Sequence, residues 1–303
     1  MSEHYPRIRI FSPGGYLAIR EGLTLTFYMR HDHTDVAPAV LQALETYRRA
    51  IAPHVLGQYS YEGGQWVRLD ESGWEGIRQE MLDGSSVIFD LKETPGSEHR
   101  YRFVYFGRLP EHPNLMFGPR SVSAVSFWLS TEFLEAHGPE RVRELALELA
   151  SRLPFCSGFT SLSFNCETDV LGVEEKVRKL CFRYPGMDIP EPDLCSWEIG
   201  TRVRGISWLN FLGQPVLGEL GGAAGLRARL HSPGTTVQEM EGERAVVTLG
   251  PWPEAGDTEQ GRTLPAYREL ARALEPWLYH EESRHEHLQV PEHVRRWERR
   301  FLD

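Results

Sequence analysis

The chain has 303 residues, 41% of them hydrophobic and 25% charged, an ordinary globular composition that excludes a disordered or low-complexity protein. Its 33 basic and 43 acidic residues give a net charge of -10, which argues against binding nucleic acid or an anionic membrane and favours a basic partner. No run approaches the roughly 20 apolar residues of a membrane-spanning helix. The opening MSEHYPRIRIF has no apolar signal core, so a cytoplasmic location is expected.

In chain order, Arg7 to Phe11 and Leu17 to Met29 read as strands, the second alternating through Leu23, Leu25 and Phe27. Asp35 is placed to cap a helix from Val36 to Ile51, with Val40, Leu41, Leu44 and Tyr47 on its apolar face. A turn at Gly63-Gly64, a short helix near Trp74 to Leu82 and strands at Ser86 to Leu91 and Tyr101 to Phe106 follow. Pro110, Pro113 and Pro119 then fill a connector, the best place for a seam between two similar-sized halves. Beyond it come a strand from Val122 to Leu129, helices at Thr131 to Ala136 and Pro139 to Leu153, a strand from Thr160 to Asn165 and a helix from Val173 to Phe182.

The stretch Thr201 to Leu230 has the richest apolar pattern and reads as fold-holding core. It predicts a half-buried strand from Arg202 to Leu209, carrying Val203, Ile206 and Trp208. A helix through Val216, Leu217 and Leu220 follows, opened by Pro215 and stopped by Gly221-Gly222. A strand from Arg244 to Leu249, a long helix from Leu264 to Leu278 and a final helix from Pro291 to Arg300 complete the chain. Strands arrive in neighbouring sets with helices between them. The fold class is therefore α+β, an antiparallel or mixed sheet with helices packed on one face, forming one domain over residues 1–303 with a candidate seam near residues 110–120.

Few residues are arranged for catalysis. His280 to His287, HEESRHEH, is the densest titratable cluster, but a zinc site on a helix needs histidines four apart, and His280, His285 and His287 are not. His31 and His33 follow a strand end, where alternate residues share a face and a pair could chelate. There is no Gly-x-Ser-x-Gly elbow, and Cys156 has no charged sequence neighbour to activate it. The four cysteines, Cys156, Cys166, Cys181 and Cys195, form no Cys-x-x-Cys pair and read as buried free thiols. Neither glycine group, at Gly221 to Gly225 or at Gly250 to Gly256, matches a nucleotide-binding pattern. No cofactor and no metal are expected.

Two loops stand out instead. Phe182 to Asp193, FRYPGMDIPEPD, is acidic and proline-rich and is expected to display Met187 and Ile189. Leu249 to Gly261, LGPWPEAGDTEQG, presents Trp252 beside Glu254, Asp257 and Glu259; an aromatic ringed by acids suits a binding hot spot, the alternative being that Trp252 packs into the core.

Together these stretches resemble the type VI immunity family associated with VRR-Nuc nuclease effectors of the type VI secretion system. The resemblance runs in order through GLTLTFYM, the helix Val36 to Ile51, LPFCSGFTSLSF, FRYPGMDI, RGISWLNFLGQPVLGELGG, LGPWPEAGD and the closing WERRF. It implies a cytosolic immunity protein (antitoxin), not an enzyme, that binds and neutralises a cognate secreted effector, a nuclease with a basic domain, by stoichiometric occlusion. The expected partner-binding residues are Asp188, Glu191, Asp193, Trp252, Glu254, Asp257 and Glu259, on a monomer or homodimer that touches neither nucleic acid nor membrane. The alternatives are a metal-dependent hydrolase using a histidine cluster and a structural component of a phage-like or secretion apparatus.

Overall fold

Residues Leu17–Met29 (β2) are buried at all 13 positions, which makes this strand the spine of the sheet. The structure is a computed structural model that describes the chain except residues 1–2, 13, 61–64, 95–97, 99, 111–117, 167–169, 171 and 283–289. Among the described residues one 12-stranded sheet is present. β1 (Arg9–Phe11) pairs with the start of β2, which lies between β7 (Ser123–Ser130) and β8 (Ser157–Cys166). Outward from β7 run β6 (Arg102–Gly107), β5 (Val87–Lys92), β3 (Gln58–Ser60) and β4 (Val67–Arg68). Outward from β8 run β10 (Leu209–Leu212), β12 (Arg244–Leu249) and β11 (Thr235–Met240). These pairings are antiparallel, whereas the two-residue β9 (Met187–Asp188) lies parallel beside β8. Across the proline-containing connector, β6 and β7 are direct sheet neighbours. Pro113 and the Gly63-Gly64 turn lie outside the described residues.

The two faces of β2 are buried for different reasons. A strand period of two sends Leu23, Leu25 and Phe27 to one face, where they join Val40 and Leu44 of α1 (His33–Ala50) and Leu145 and Leu149 of α3 (Thr131–Arg152) in the main core. Tyr47 packs on Phe127 at 5.2 Å and donates its hydroxyl to the Trp128 carbonyl, fastening α1 to β7. The opposite face carries Thr24, Thr26 and Ser126, whose hydroxyls bond one another at 2.9–3.2 Å, so their burial leaves no polar group unmet. The short α5 (Pro192–Glu198) covers that face, with Cys195 packed among Tyr28, Ala124 and Phe159.

A second core fills the C-terminal end. Val216 and Leu217 of α6 (Val216–Glu219), Leu226 of α7 (Gly222–Arg227) and Leu270 of α8 (Pro265–Leu274) pack on Leu212 and Val247. The glycines expected to stop α6 do so: Gly221 and Gly222 take φ 84° and 72°, open to glycine at no steric cost. The remaining helices are α2 (Glu71–Asp83), α4 (Val173–Cys181) and α9 (Glu292–Glu298).

Several local expectations are corrected. The segment from Arg202 is not a strand before Leu209; Val203 makes a single bridge to Leu278. Asn210 explains this, because its side chain accepts from the Ser207 N–H at 2.9 Å and donates to the Ser207 carbonyl at 2.6 Å, closing a turn. The helix expected through Leu278 ends at Leu274 and continues only as a 3-10 turn, Glu275–Trp277, since Pro276 has no N–H for the next helical bond. Asp32, not Asp35, precedes α1, and Asp35 sits in its first turn. The helices expected at Thr131 and Pro139 form one element, turned at Gly138 with φ 78° and ψ 165°.

Candidate interaction surface

The two acidic loops, far apart in sequence, meet backbone to backbone. The Gly186 N–H donates to the Ala255 carbonyl and the Thr258 N–H to the Arg183 carbonyl, each at 2.9 Å. A Cβ on Gly186 would stand 2.0 Å from the Glu254 carbonyl oxygen, so only glycine allows this approach. The N-terminal segment closes the third side: Ala255 N–H donates to the His4 carbonyl at 2.8 Å, and the His4 ring stacks on Trp252 at 4.8 Å. Gly186→Ala is therefore expected to force the loops apart and cost about 1–3 kcal/mol of stability. Urea unfolding checks this, and a loss below about 0.5 kcal/mol, the range of neutral surface changes, contradicts the contact.

The seven residues singled out from sequence divide sharply. Asp188 is 3% exposed and Asp257 only 1%, and both are spent inside the protein. Asp257 caps the turn Thr258–Gln260 through the N–H groups of Glu259 and Gln260 and takes the Arg183 guanidinium at 3.1–3.3 Å. Burial acts to raise its pKa, but Arg183 and the backbone donors outweigh it and hold the carboxyl below the usual range. Glu191 receives Arg204 at 3.1 Å, and Asp193, 61% exposed at its side chain, receives Arg108 at 2.9 Å. Trp252 is half-buried, packed on the main core and on His4. Glu254 bonds His4 Nδ1 at 2.5 Å and Glu259 lies 2.6 Å from Arg183, yet both keep exposed carboxylates, 40% and 65%. Met187 and Ile189 are not on display: Met187 is core, paired in β9 beside Leu162, and Ile189 is half-buried.

Beneath the 182–193 loop lies a charged cluster that sequence reasoning missed. Arg204 and Arg300 are both nearly enclosed, and Asp188 stands 3.8 Å from Arg300. Burial works against the Arg204 charge, but Cys195, Asp188 and Glu191 hold its pKa well above the ordinary value. Burial pulls Arg300 down to about 10 and pushes Asp188 and Glu191 up. Arg300 also donates to the Pro185 carbonyl at 2.9 Å and lies over the Trp297 ring at 3.8 Å, tying the chain's end to the loop. The only advance signal was the placing of Arg204 in RGISWLNF and Arg300 in WERRF, charges amid apolar residues. Between α4, α5 and α9 this cluster borders a cavity of 90 Å³.

Among the described residues the histidines are not arranged to hold an ion. His31 is exposed, while His33 begins α1 and is buried with Nδ1 2.9 Å from the Tyr105 hydroxyl, so the two do not share a strand face. Burial also keeps the His33 pKa low. His285 and His287 lie outside the described residues, and among the described ones no cluster of three or more ligand-type side chains could hold a metal. Desolvation raises Cys156 and pushes Cys181 and Cys195 to about 11, unsuited to nucleophilic attack.

No curated protein matches the chain. Among solved structures, the Pseudomonas aeruginosa T6SS protein PA0821 is similar with a TM-score of 0.79 and 21% identity, covering 97% of this chain and 87% of its own, a likeness of fold. A family model described as type VI immunity for VRR-NUC matches residues 39–301. That match spans both loops, the buried arginines and α9, so the chain belongs to the TsiV family of type VI immunity proteins for VRR-NUC nuclease effectors.

Proposed function

We propose that this immunity protein silences its effector by stoichiometric binding without turnover, setting an acidic face against the basic nucleic-acid-binding surface of the nuclease. The observation that carries this reading is the convergence of the 182–193 and 249–261 loops into one backbone-bonded unit with Glu254 and Glu259 exposed on it. Exposed carboxylates on a rigid support stand in for phosphates and steer a basic partner into contact. Asp188 and Asp257 serve that surface from within, as props for the loops. Asp193 and Glu191 lie at its edge, each on a buried arginine, and Trp252 forms its apolar part. Among the described residues no helix is long and apolar enough to cross a membrane. The protein works as a monomer or homodimer in the cytoplasm, where the nuclease meets nucleic acid.

The test is co-expression with the effector encoded beside it, read as growth, together with co-purification of the tagged protein. A tight complex and restored growth are expected. Growth arrest with no complex sinks the reading.

A further inference from the structure

The sheet ends at β4 on one side and at β11 on the other, and among the described residues no strand pairs beyond either. β4 is two residues long, too short to template a further strand, whereas β11 offers six residues with no proline or lysine to discourage pairing. The Gly250 N–H donates to the Gly234 carbonyl at 3.2 Å, so residue 234 faces β12, and strand alternation turns Thr236, Gln238 and Met240 the same way. Thr235, Val237 and Glu239 therefore direct their N–H and C=O groups outward. Two contacts agree: the Thr235 N–H donates to the Ser232 carbonyl at 3.1 Å, and Arg227 Nη2 donates to the Val237 carbonyl at 3.0 Å. Left facing out are the N–H groups of Val237 and Glu239 and the carbonyls of Thr235 and Glu239, along about 14 Å of edge.

Backbone donors and acceptors at strand spacing are met by the main chain of an extended segment. The position of the edge says whose. Gly234, just before β11, is bonded to Gly250, just after β12, and Pro251, Trp252 and Glu254 follow directly. The edge thus runs into the face proposed to bind the effector. A second copy is disfavoured, because antiparallel self-pairing brings two Arg227 guanidiniums to one shared edge between chains of net charge -10. For an incoming segment of the effector a single Arg227 has to release the Val237 carbonyl. Its side chain is 52% exposed and its ion pair with Glu239 spans 3.6 Å, so letting go costs little.

We infer that an extended segment of the effector adds to β11 as a further strand of the sheet, bonded through the backbone of Val237 and Glu239. The inference rests on the binding role proposed above. Its test is the affinity of the full-length protein for the effector encoded beside it, with two variants compared to wild type. Glu239→Pro removes one outward N–H and no bond to β12, the setting in which edge strands tolerate proline. Glu239→Thr keeps that N–H and drops the carboxylate, whose side chain is 70% exposed. Glu239→Pro is expected to raise Kd about tenfold and Glu239→Thr to stay within about twofold of wild type. In the wild-type protein, hydrogen exchange at the Val237 and Glu239 amides is expected to slow about tenfold or more when the effector binds, a readout that needs no variant. If wild type binds while those amides exchange as before, or while a folded Glu239→Pro protein binds equally well, the added strand is overturned and the binding role stands. Equal weakening by Glu239→Thr assigns the loss to the carboxylate and overturns it too, as does a homodimer in light scattering that Glu239→Pro dissociates without loss of effector binding. If wild type does not bind at all, both readings fall.

Discussion

Replacing Arg204 by methionine is expected to lower the free energy of unfolding by about 3–5 kcal/mol at neutral pH, the cost of stripping one partner from a buried ion pair. Arg204 donates to Glu191 at 3.1 Å and shares its charge with Asp188, whose Oδ2 already lacks a hydrogen-bond partner. Without the guanidinium, Asp188 remains enclosed with Glu191, 37% exposed at its side chain, beside it and Arg300, itself 3.8 Å from Asp188, as the remaining counter-charge. The pH dependence identifies the cause. Burial already raises Asp188 and Glu191, and removing Arg204 raises them further while their unfolded values stay near 4. An acid whose folded pKa is raised penalises the fold above that pKa and spares it below the unfolded value. The deficit should therefore be largest near pH 7 and shrink as pH falls toward about 4. Urea unfolding across that range measures it. A deficit that is small, or that does not change with pH, rules out the charge cluster as the loop's support.

Local patterning made the frame of this fold legible, because β2, α1, α4 and β12 each carry their own signal. Leu23, Leu25 and Phe27 alternate, and Val40, Leu44 and Tyr47 recur at helical spacing. What stayed hidden depends on partners far along the chain. Asp257 reads as an exposed loop acid until Arg183, 74 residues earlier, is found beneath it. Asp188 reads likewise until Arg300 and Arg204 close over it, and β9 is too short to announce itself by periodicity. β11 was within reach: TTVQEM lies on the sheet edge, joined to β12 across a turn where Gly242 takes φ 73°. Its exposed polar residues hid it, since an edge strand buries too little to show an apolar pattern.

That same division fixes how the acidic face should be probed. Asp257→Lys would place an ammonium in a buried carboxylate's position against Arg183 and unfold the loop, so lost binding would say nothing about contact. Asp193→Lys would set an ammonium against the guanidinium of Arg108, whose side chain is 4% exposed, and carries the same defect. Glu254 and Glu259 are the clean pair, exposed and held only by His4 and by an Arg183 that keeps Asp257. Glu254→Lys with Glu259→Lys moves the net charge from -10 to -6, each reversal adding two, and places both positive charges on the one surface at issue. Association with the effector is expected to slow about tenfold at low ionic strength, and the salt dependence of the rate to flatten, while dissociation changes less. Stopped-flow or surface kinetics across a salt series read both quantities. Steering acts during the approach, when charges are still a Debye length apart, so its loss must appear in the association rate and fade as salt screens it. A doubly reversed protein that associates at the wild-type rate at every ionic strength places the effector's docking surface elsewhere on the molecule.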